Sequence, residues 1–174
     1  DSAGSSGNRY FILRHGEAES NHQKISSSWP EKNPKNLTEK GKKQILKLAK
    51  LLKNKKINLI FSSDLLRTKQ TSEIISVELK KKINFDKRLR ELDFGVLNNK
   101  PYEEFTKFIG DKVNHFSKAP EKGENLNDIR KRMMDFILEV DKKYSGKNIL
   151  IVSHGDPLWI LENAAQGFDD KEII

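Results

Sequence analysis

The chain has 174 residues, of which 35% are hydrophobic and 33% are charged, a composition typical of one globular domain and unlike a disordered or fibrous protein. No apolar run reaches the roughly 18 residues of a membrane span, and the absence of cysteine excludes disulfides, zinc–thiolate sites and cysteine nucleophiles. The formal charge of +8 favours anionic substrates, but its lysines lie in helical stretches without interleaved aromatics, so we expect neither a nucleic-acid nor a membrane partner.

The start of the chain predicts a linker followed by a buried strand. Residues 1–8 are rich in serine and glycine and have no hydrophobic anchor, so we expect a flexible linker or a cloning remnant ahead of a domain at residues 9–174. An apolar run at residues 9–14 ends at His15-Gly16 and predicts a strand. The polar stretch at residues 20–36 contains two prolines and predicts irregular structure.

Helices and strands alternate through the rest of the sequence. Thr38 is placed to cap a helix whose apolar stripe runs from Ile45 to Leu52. The later predicted elements are a strand at 59–61, a helix through about residue 78, a strand near 83–85, a loop at 89–100, short helices at 102–116, a long helix at 123–144, a strand at 148–152 and a helix from about residue 156. This order predicts an α/β fold, with three α/β/α layers and a mostly parallel central sheet.

Three of the predicted strands end in chemically reactive residues, namely Arg14-His15-Gly16, Ser62-Ser63-Asp64 and Ser153-His154-Gly155. Because ligands of parallel sheets bind at the carboxyl ends of the strands, we expect these residues to meet at one rim. A neutral imidazole at position 15 can attack phosphorus, and the guanidiniums of Arg14 and Arg67 can hold phosphate oxygens. His154 can donate hydrogen bonds to the same oxygens. We interpret His22 and His115 as surface or loop residues.

In these motifs the chain resembles the histidine phosphatase superfamily, which is also called phosphoglycerate mutase-like, from residue 9 to about residue 168. The segments that carry the resemblance are Arg14-His15-Gly16-Glu17 with Asn21, Leu37-Thr38-Glu39-Lys40-Gly41 with Gln44, Ser62-Ser63-Asp64-Leu65-Leu66-Arg67-Thr68 with Gln70-Thr71, Leu89-Arg90-Glu91-Leu92-Asp93-Phe94-Gly95, Gly123-Glu124-Asn125 with Arg130 and Arg132, and Val152-Ser153-His154-Gly155. Each segment alone is a modest signal, whereas the six in the family's order are specific.

The resemblance implies a role for each matching residue. His15 is similar to the nucleophile that becomes phosphorylated, and Glu91 to the general acid that protonates the leaving oxygen and then deprotonates water, with Asp93 as the rival candidate. His154 is expected in the catalytic set, and the expected phosphate-binding residues are Arg14, Asn21, Ser62 and Arg67. We expect no metal and no other cofactor, because the cationic side chains neutralise charge as magnesium does elsewhere.

The resemblance leaves three functions open. We favour a cytoplasmic phosphatase of a small phosphorylated metabolite, because only residues 94–122 fill an interval in which similar mutases carry a longer insertion. A phosphoglycerate mutase-type phosphotransferase is the first alternative. A non-catalytic module that binds a phosphorylated ligand is the second, although such a site would not need Glu91.

Two departures from the family pattern bear on substrate and boundaries. Residues 96–99 read Val-Leu-Asn-Asn where the family often has Trp-Glu-Gly, so the substrate remains open. The chain stops at Ile174, where relatives commonly continue into a further strand, so we expect a piece of a longer protein linked to further domains. The acceptor side of the pocket is expected to involve residues 21–36, Lys100, Tyr102, Phe105 and Phe108.

Overall fold

The structure, a computed structural model, describes residues 6–164 and 171–173. In these residues one parallel sheet contains β1 (Arg9–Arg14), β2 (Leu59–Ser62), β3 (Ile83–Phe85), β4 (Asn148–Ser153) and β5 (Lys171–Ile173), in the order β3-β2-β4-β1-β5. The helices are α1 (Glu19–Gln23), α2 (Glu39–Leu52), α3 (Leu66–Leu79), α4 (Tyr102–Ile109), α5 (Leu126–Lys143) and α6 (Gly155–Ala164). Short 3-10 turns lie at Lys53–Lys55, Lys87–Leu89, Gly95–Leu97 and Lys112–Phe116. The predicted α/β/α class is confirmed.

The central strands are apolar on both faces, because each face packs against helices. Successive side chains of a strand point to opposite sides of the sheet. In β1, Tyr10 and Ile12 therefore pack with the core that α4, α5 and α6 cover. Phe11 and Leu13 pack with the core that α2 and α3 cover. The continuous apolar runs of β1 and β4 are what a sheet buried on both faces requires.

The register of β1 against β4 sets the position of the functional rim. Arg14 is paired with Ser153, and the His15 N–H donates to the carbonyl of Ser153 at 3.1 Å. Both strands run in the same direction, so the residues that follow them, His15 and His154, leave the sheet side by side. This is the reason that two sequence-distant histidines share one site.

The ends of the fold differ from the sequence-based prediction. The expectation that the chain stops without a further strand is wrong, since β5 pairs with β1 at the sheet edge. Its sequence, Lys-Glu-Ile, is too short and polar to give a strand signal. Residues 1–5 of the predicted linker lie outside the described residues, but Ser6 and Asn8 both donate side-chain hydrogen bonds to Asp141, so the chain joins the domain before residue 9.

The predicted irregular stretch at residues 20–36 is largely irregular, apart from α1. Thr38 caps α2 as predicted, accepting a hydrogen bond from the Gly41 N–H at 3.0 Å. Within the ranges that the structure describes, no helix is long and apolar enough to cross a membrane.

The first turn of α2 packs directly on the backbone that follows His15. A Cβ added at Gly41 would overlap the carbonyl oxygen of Glu17 and would also lie 2.9 Å from the Glu17 nitrogen. That carbonyl accepts the Thr38 N–H at 2.9 Å, so it is fixed and has no room to retreat. Gly41 therefore sets how closely α2 approaches the active-site loop.

We expect Gly41→Ala to lower the free energy of unfolding by about 1 to 3 kcal/mol, because overpacking against fixed backbone outweighs the better helix propensity of alanine. Urea denaturation measures the change. Lys43→Ala on the exposed side of the same helix is the control and should stay within about 0.5 kcal/mol of the parent. An unchanged or higher stability for Gly41→Ala would contradict this account of the packing.

Candidate active site

A cavity of about 670 Å³ opens at the carboxyl end of β1. Its walls come from the loop after β1, from α1 and the residues that follow it, from the start of α3, and from α4. Of the residues predicted for the site, those that line it are Arg14, His15, Asn21, Arg67 and Glu91. His154 lies behind His15, with the two ring centroids 5.3 Å apart.

Two hydrogen bonds fix the tautomer of His15. Its Nδ1 lies 2.8 Å from the carbonyl oxygen of Gly16, which can only accept, so Nδ1 carries the proton. The Nε2 atom accepts a hydrogen bond from Nε of Arg67 at 3.2 Å and therefore holds the lone pair. The ring is buried, with 8% of the residue exposed. Nε2 is thus the basic and nucleophilic atom of this imidazole.

The surroundings of His15 keep the ring neutral. Burial lowers its pKa to about 3, with the charge of Arg67 as the next cause and that of Arg14 as a smaller one. The Gly16 carbonyl works in the opposite direction. At neutral pH the imidazole is therefore unprotonated even though it lies between two cations.

The two predicted guanidiniums approach the cavity in different ways. Arg14, the last residue of β1, is exposed, and its Cζ lies over Gly155 at the start of α6. Arg67 lies in the first turn of α3, where it is 3% exposed, and its Nη2 donates to the carbonyl of Ser27 at 2.8 Å. One cation is therefore exposed at the mouth of the cavity, and the other is held at its base.

His154 is completely buried, and its Nε2 lies 2.9 Å from the hydroxyl of Ser63. Burial, Arg67 and His15 lower its pKa well below the ordinary value, so this ring is neutral as well. The Ser63 hydroxyl accepts a weak hydrogen bond from the Leu65 N–H at 3.4 Å, which leaves its proton free to be donated to Nε2. In that arrangement Nε2 accepts from Ser63, and Nδ1 of His154 carries the single N–H proton of the neutral ring.

The prediction that Ser62 lines the pocket is wrong. Ser62 is the last residue of β2, and its buried hydroxyl donates to the carbonyl of Ser63 at 2.8 Å and to that of Thr68 at 3.4 Å. Because side chains alternate along a strand, the next residue, Ser63, is the one that turns toward His154. The strand period was the signal that distinguishes the two serines.

Glu91 rather than Asp93 reaches the cavity. The Oε1 of Glu91 accepts the Leu92 N–H at 2.8 Å, and the residue lines the cavity. The carboxylate of Asp93 instead accepts the Gly95 N–H at 2.9 Å. Burial raises the pKa of Glu91 to about 7, and the charge of Asp156 adds to this, whereas Arg67 opposes it. Near neutral pH the Glu91 carboxyl therefore exists in both protonation states.

Asp156 is a site residue that the sequence reasoning assigned only to a helix start. It lies in the first turn of α6, directly after Gly155, where burial raises its pKa and Arg14 opposes the shift. Its charge acts on Glu91 and on Tyr102. Its position two residues after the strand-end histidine, His154, was the sequence feature that could have indicated a place in the site.

Residues 26–31, here named the serine segment, connect Arg67 to Glu91. The carbonyl of Ser27 accepts from Arg67, and the hydroxyl of Ser28 donates to the backbone carbonyl of Glu91 at 3.1 Å. The sequence predicts this stretch on the acceptor side of the pocket, and nothing in its composition indicates that it holds the side chain of Arg67 and the backbone of Glu91.

Several buried donors around the cavity lack a hydrogen-bond partner within the described residues. They are Ser26 Oγ, Ser27 Oγ, Arg67 Nη1 and His154 Nδ1. The nearest counter-charge of Arg67 Nη1 is Oε1 of Glu31, 3.9 Å away, which is beyond hydrogen-bond distance. Buried polar groups are seldom left unpaired, so this cluster suits an anion with several oxygen acceptors.

The remaining predicted residues have smaller roles in the geometry. Asn21 lines the cavity, and its Oδ1 accepts the Ala18 N–H at 2.9 Å, which fixes the amide plane. His22 is exposed beside Glu17, as expected. His115 is half-buried in the 3-10 turn before α5, and its ring packs against Phe105 with the centroids 5.4 Å apart. Among residues 6–164 and 171–173, no group of three or more histidine, aspartate or glutamate side chains could hold a metal ion.

A family model and a curated protein both match this chain over most of its length. The model of the histidine phosphatase superfamily (branch 1) matches residues 10–173. A probable phosphoglycerate mutase, GpmB, of Salmonella arizonae is 31% identical over 163 residues, which are 90% of this chain and 74% of that protein.

Solved structures with the same fold include proteins described as phosphatases. Bacillus stearothermophilus YhfR is 28% identical with a TM-score of 0.80, and the match covers 92% of this chain and 80% of that one. The α-ribazole phosphatase of Shigella flexneri is 26% identical with a TM-score of 0.74, over 90% of this chain and 79% of that one. A mycobacterial glucosyl-3-phosphoglycerate phosphatase shares the fold at 23% identity and a TM-score of 0.76, over 88% of this chain and 76% of that one.

Proposed function

The chain belongs to the histidine phosphatase superfamily, and we propose that it hydrolyses small phosphate monoesters through a phosphohistidine formed on His15. The observation that carries this proposal is the fixed tautomer of His15, which leaves the Nε2 lone pair in a cavity that Arg14, Arg67 and Glu91 also line. A neutral nucleophile between cations is what attack on an anionic phosphoryl group requires.

Binding of the phosphoryl group uses the donors that the protein leaves unpaired. Arg67 Nη1 and His154 Nδ1 supply hydrogen bonds from the base of the cavity, and the exposed guanidinium of Arg14 closes over the oxygens from the mouth. Ser63 acts as a positioning residue, because its bond to Nε2 of His154 decides which nitrogen of that ring donates. Asn21 is an additional donor through its amide nitrogen.

In the first chemical step, Nε2 of His15 attacks phosphorus while the bond from phosphorus to the leaving oxygen breaks. Arg67 must release Nε2 as its N–H groups turn to the phosphoryl oxygens. The proton on Nδ1 stays bonded to the Gly16 carbonyl, so the positive charge that develops on the ring is stabilised. Glu91 gives its proton to the leaving oxygen, which departs as an alcohol.

In the second step, the ionised Glu91 takes a proton from water, and the resulting oxygen attacks the phosphohistidine. The bond from nitrogen to phosphorus breaks, inorganic phosphate leaves, and Glu91 is protonated for the next turnover. A carboxyl with a pKa of about 7 suits both tasks, because it has appreciable populations of both forms near neutral pH. A module that only binds phosphorylated ligands would gain nothing from such a carboxyl.

The finer features of the proposal follow from the same groups. The guanidiniums of Arg14 and Arg67 neutralise phosphoryl charge, and the N–H groups of His154 and Asn21 donate hydrogen bonds to the phosphoryl oxygens. We therefore propose that the reaction needs no metal ion. The lack of cysteine in the sequence fits a cytoplasmic enzyme. The cavity volume of about 670 Å³ fits a small phosphorylated metabolite.

A phosphoglycerate mutase-type phosphotransferase is the second candidate, and the 31% identity to a probable phosphoglycerate mutase favours it. Both reactions share the phosphohistidine and differ in its acceptor, which is water in one and a second hydroxyl in the other. Release of inorganic phosphate with no accumulation of an isomerised ester separates the phosphatase from the mutase.

We expect His15→Ala to lower the hydrolysis of 4-nitrophenyl phosphate in the presence of EDTA by more than about 10³-fold, because the nucleophile is lost. Release of inorganic phosphate measures the rate. His22→Ala, which removes an exposed ring, is the control and should retain the parent rate. Equal rates for His15→Ala and the parent protein would exclude His15 as the nucleophile, and loss of parent activity in EDTA would contradict metal independence.

We expect Asp156→Asn to move the high-pH limb of kcat/KM toward lower pH. Glu91 donates only while it is protonated, so the rate of the first step falls above a pH of about 7. Removing the negative charge of Asp156 makes ionisation of Glu91 easier, lowers its pKa and brings the fall in rate to lower pH.

The pH profile of hydrolysis at low substrate concentration measures this shift. Glu103→Gln, which removes an exposed carboxylate at the rim of the same cavity, is the matched control and should leave the limb in place. An unchanged limb in Asp156→Asn, or one moved to higher pH, would refute the proposed coupling between the two acids.

A further inference from the structure

A second cavity of about 520 Å³ lies beside the first, on the other side of α4. Tyr102 and Thr106, one helical turn apart on α4, line both cavities, so the two spaces meet along this ridge. The apolar part of the second cavity is formed by Tyr102, Phe105, Ile109, Phe116, Leu126 and Trp159. Of the predicted acceptor residues, Lys100 and Phe108 line neither cavity.

Three of the aromatic rings of this second cavity, those of Tyr102, Phe116 and Trp159, are exposed to solvent. Phe116 and Trp159 pair with ring centroids 6.0 Å apart, and they are 37% and 46% exposed. Large aromatic side chains that share a concave wall and remain exposed are typical of a site that buries them against an apolar ligand. Their charged neighbours include Lys112 and Asp156.

The second cavity borders residues that interact with Glu91, the proposed general acid. Glu91 must contact the leaving oxygen, so the organic group on that oxygen extends past Glu91 and away from His15. Three residues that line the second cavity interact electrostatically with Glu91. Burial raises the pKa of Tyr102, and the charges of Asp156 and Glu91 add to this. Burial lowers the pKa of His115, and the charge of Glu91 opposes that shift. The charge of Asp156 also raises the pKa of Glu91.

Sequence order gives the same placement without reference to charge. Asp156 follows Gly155, and Gly155 follows His154, whose ring lies against His15. The second cavity therefore includes a residue that lies two positions after a histidine of the phosphate site. An ester that holds its phosphorus at His15 would extend past Tyr102 and Thr106, which line both cavities, to place its organic group between α4 and α6.

We propose that this second cavity binds the organic group of the substrate, and that the preferred substrates are phosphate monoesters of alcohols that carry an aromatic or similarly bulky apolar group. This inference rests on the proposed phosphatase function. The wall carries both the carboxyl of Asp156 and the ammonium of Lys112, so the preference comes from the apolar rings rather than from charge.

The test compares hydrolysis of 2-phenylethyl phosphate with that of ethyl phosphate, two esters with similar leaving groups that differ in the ring. We expect Trp159→Ala to lower kcat/KM for the phenylethyl ester roughly tenfold, mostly through KM, and to leave the ethyl ester within about twofold. Phe85→Ala is the matched control. That ring, at the end of β3, is 46% exposed like Trp159 and lines neither cavity, so the ratio of the two esters should not change.

Failure of this inference and failure of the proposed function give different results. Hydrolysis of both esters with a ratio that Trp159→Ala leaves unchanged would overturn the second cavity as a subsite and leave the phosphatase intact. Hydrolysis of neither ester would overturn the phosphatase. Titration of the His15→Ala variant with 2-phenylethyl phosphate then decides on the cavity alone, since a saturable shift of the Trp159 indole N–H signal is expected and its absence would refute binding there.

Discussion

The parallel pairing of β1 with β4 is the constraint on which the rest of the site depends. Because Arg14 is in register with Ser153, the two strands deliver His15 and His154 to the same point of the rim. A slip of β1 by one residue would exchange Tyr10 and Ile12 with Phe11 and Leu13 between the two cores, so the packing of the two buried cores fixes the register. The packing that holds the fold together is therefore the same packing that assembles the site.

Burial then determines the chemistry of each titratable group. It lowers the pKa of His15 and raises that of Glu91, since both groups lose the hydration that favours their charged forms. The nucleophile is kept unprotonated, the acid is kept partly protonated, and the charges of Arg67 and Asp156 adjust the two values. A polar site open to water would not separate the two pKa values in this way. The closely packed loop after β1 and the serine segment supply the enclosure.

The sequence was sufficient for the layers of the fold and for the residues at the strand ends, because both are encoded by short local patterns. Apolar runs predict buried strands, and the residues after them fall at the rim of a parallel sheet. The features that the sequence did not reveal depend on contacts between residues far apart in the chain, or on the direction in which a side chain points. Ser63 rather than Ser62 supports His154, the serine segment holds Arg67, and the charge of Asp156 acts on Glu91. The edge strand β5 is too short and polar to have a pattern of its own.

The most direct test of the central claim is to find which atom carries the phosphoryl group during turnover. Rapid mixing with a phosphate monoester, quenching in alkali and peptide mass spectrometry locate the modified residue, and ³¹P NMR of the denatured phosphoprotein distinguishes the two nitrogens of the ring. The bond from Nδ1 of His15 to the Gly16 carbonyl predicts phosphate on Nε2 of His15. Phosphate on Nδ1, phosphate on another residue, or steady turnover without a phosphorylated intermediate would contradict the account.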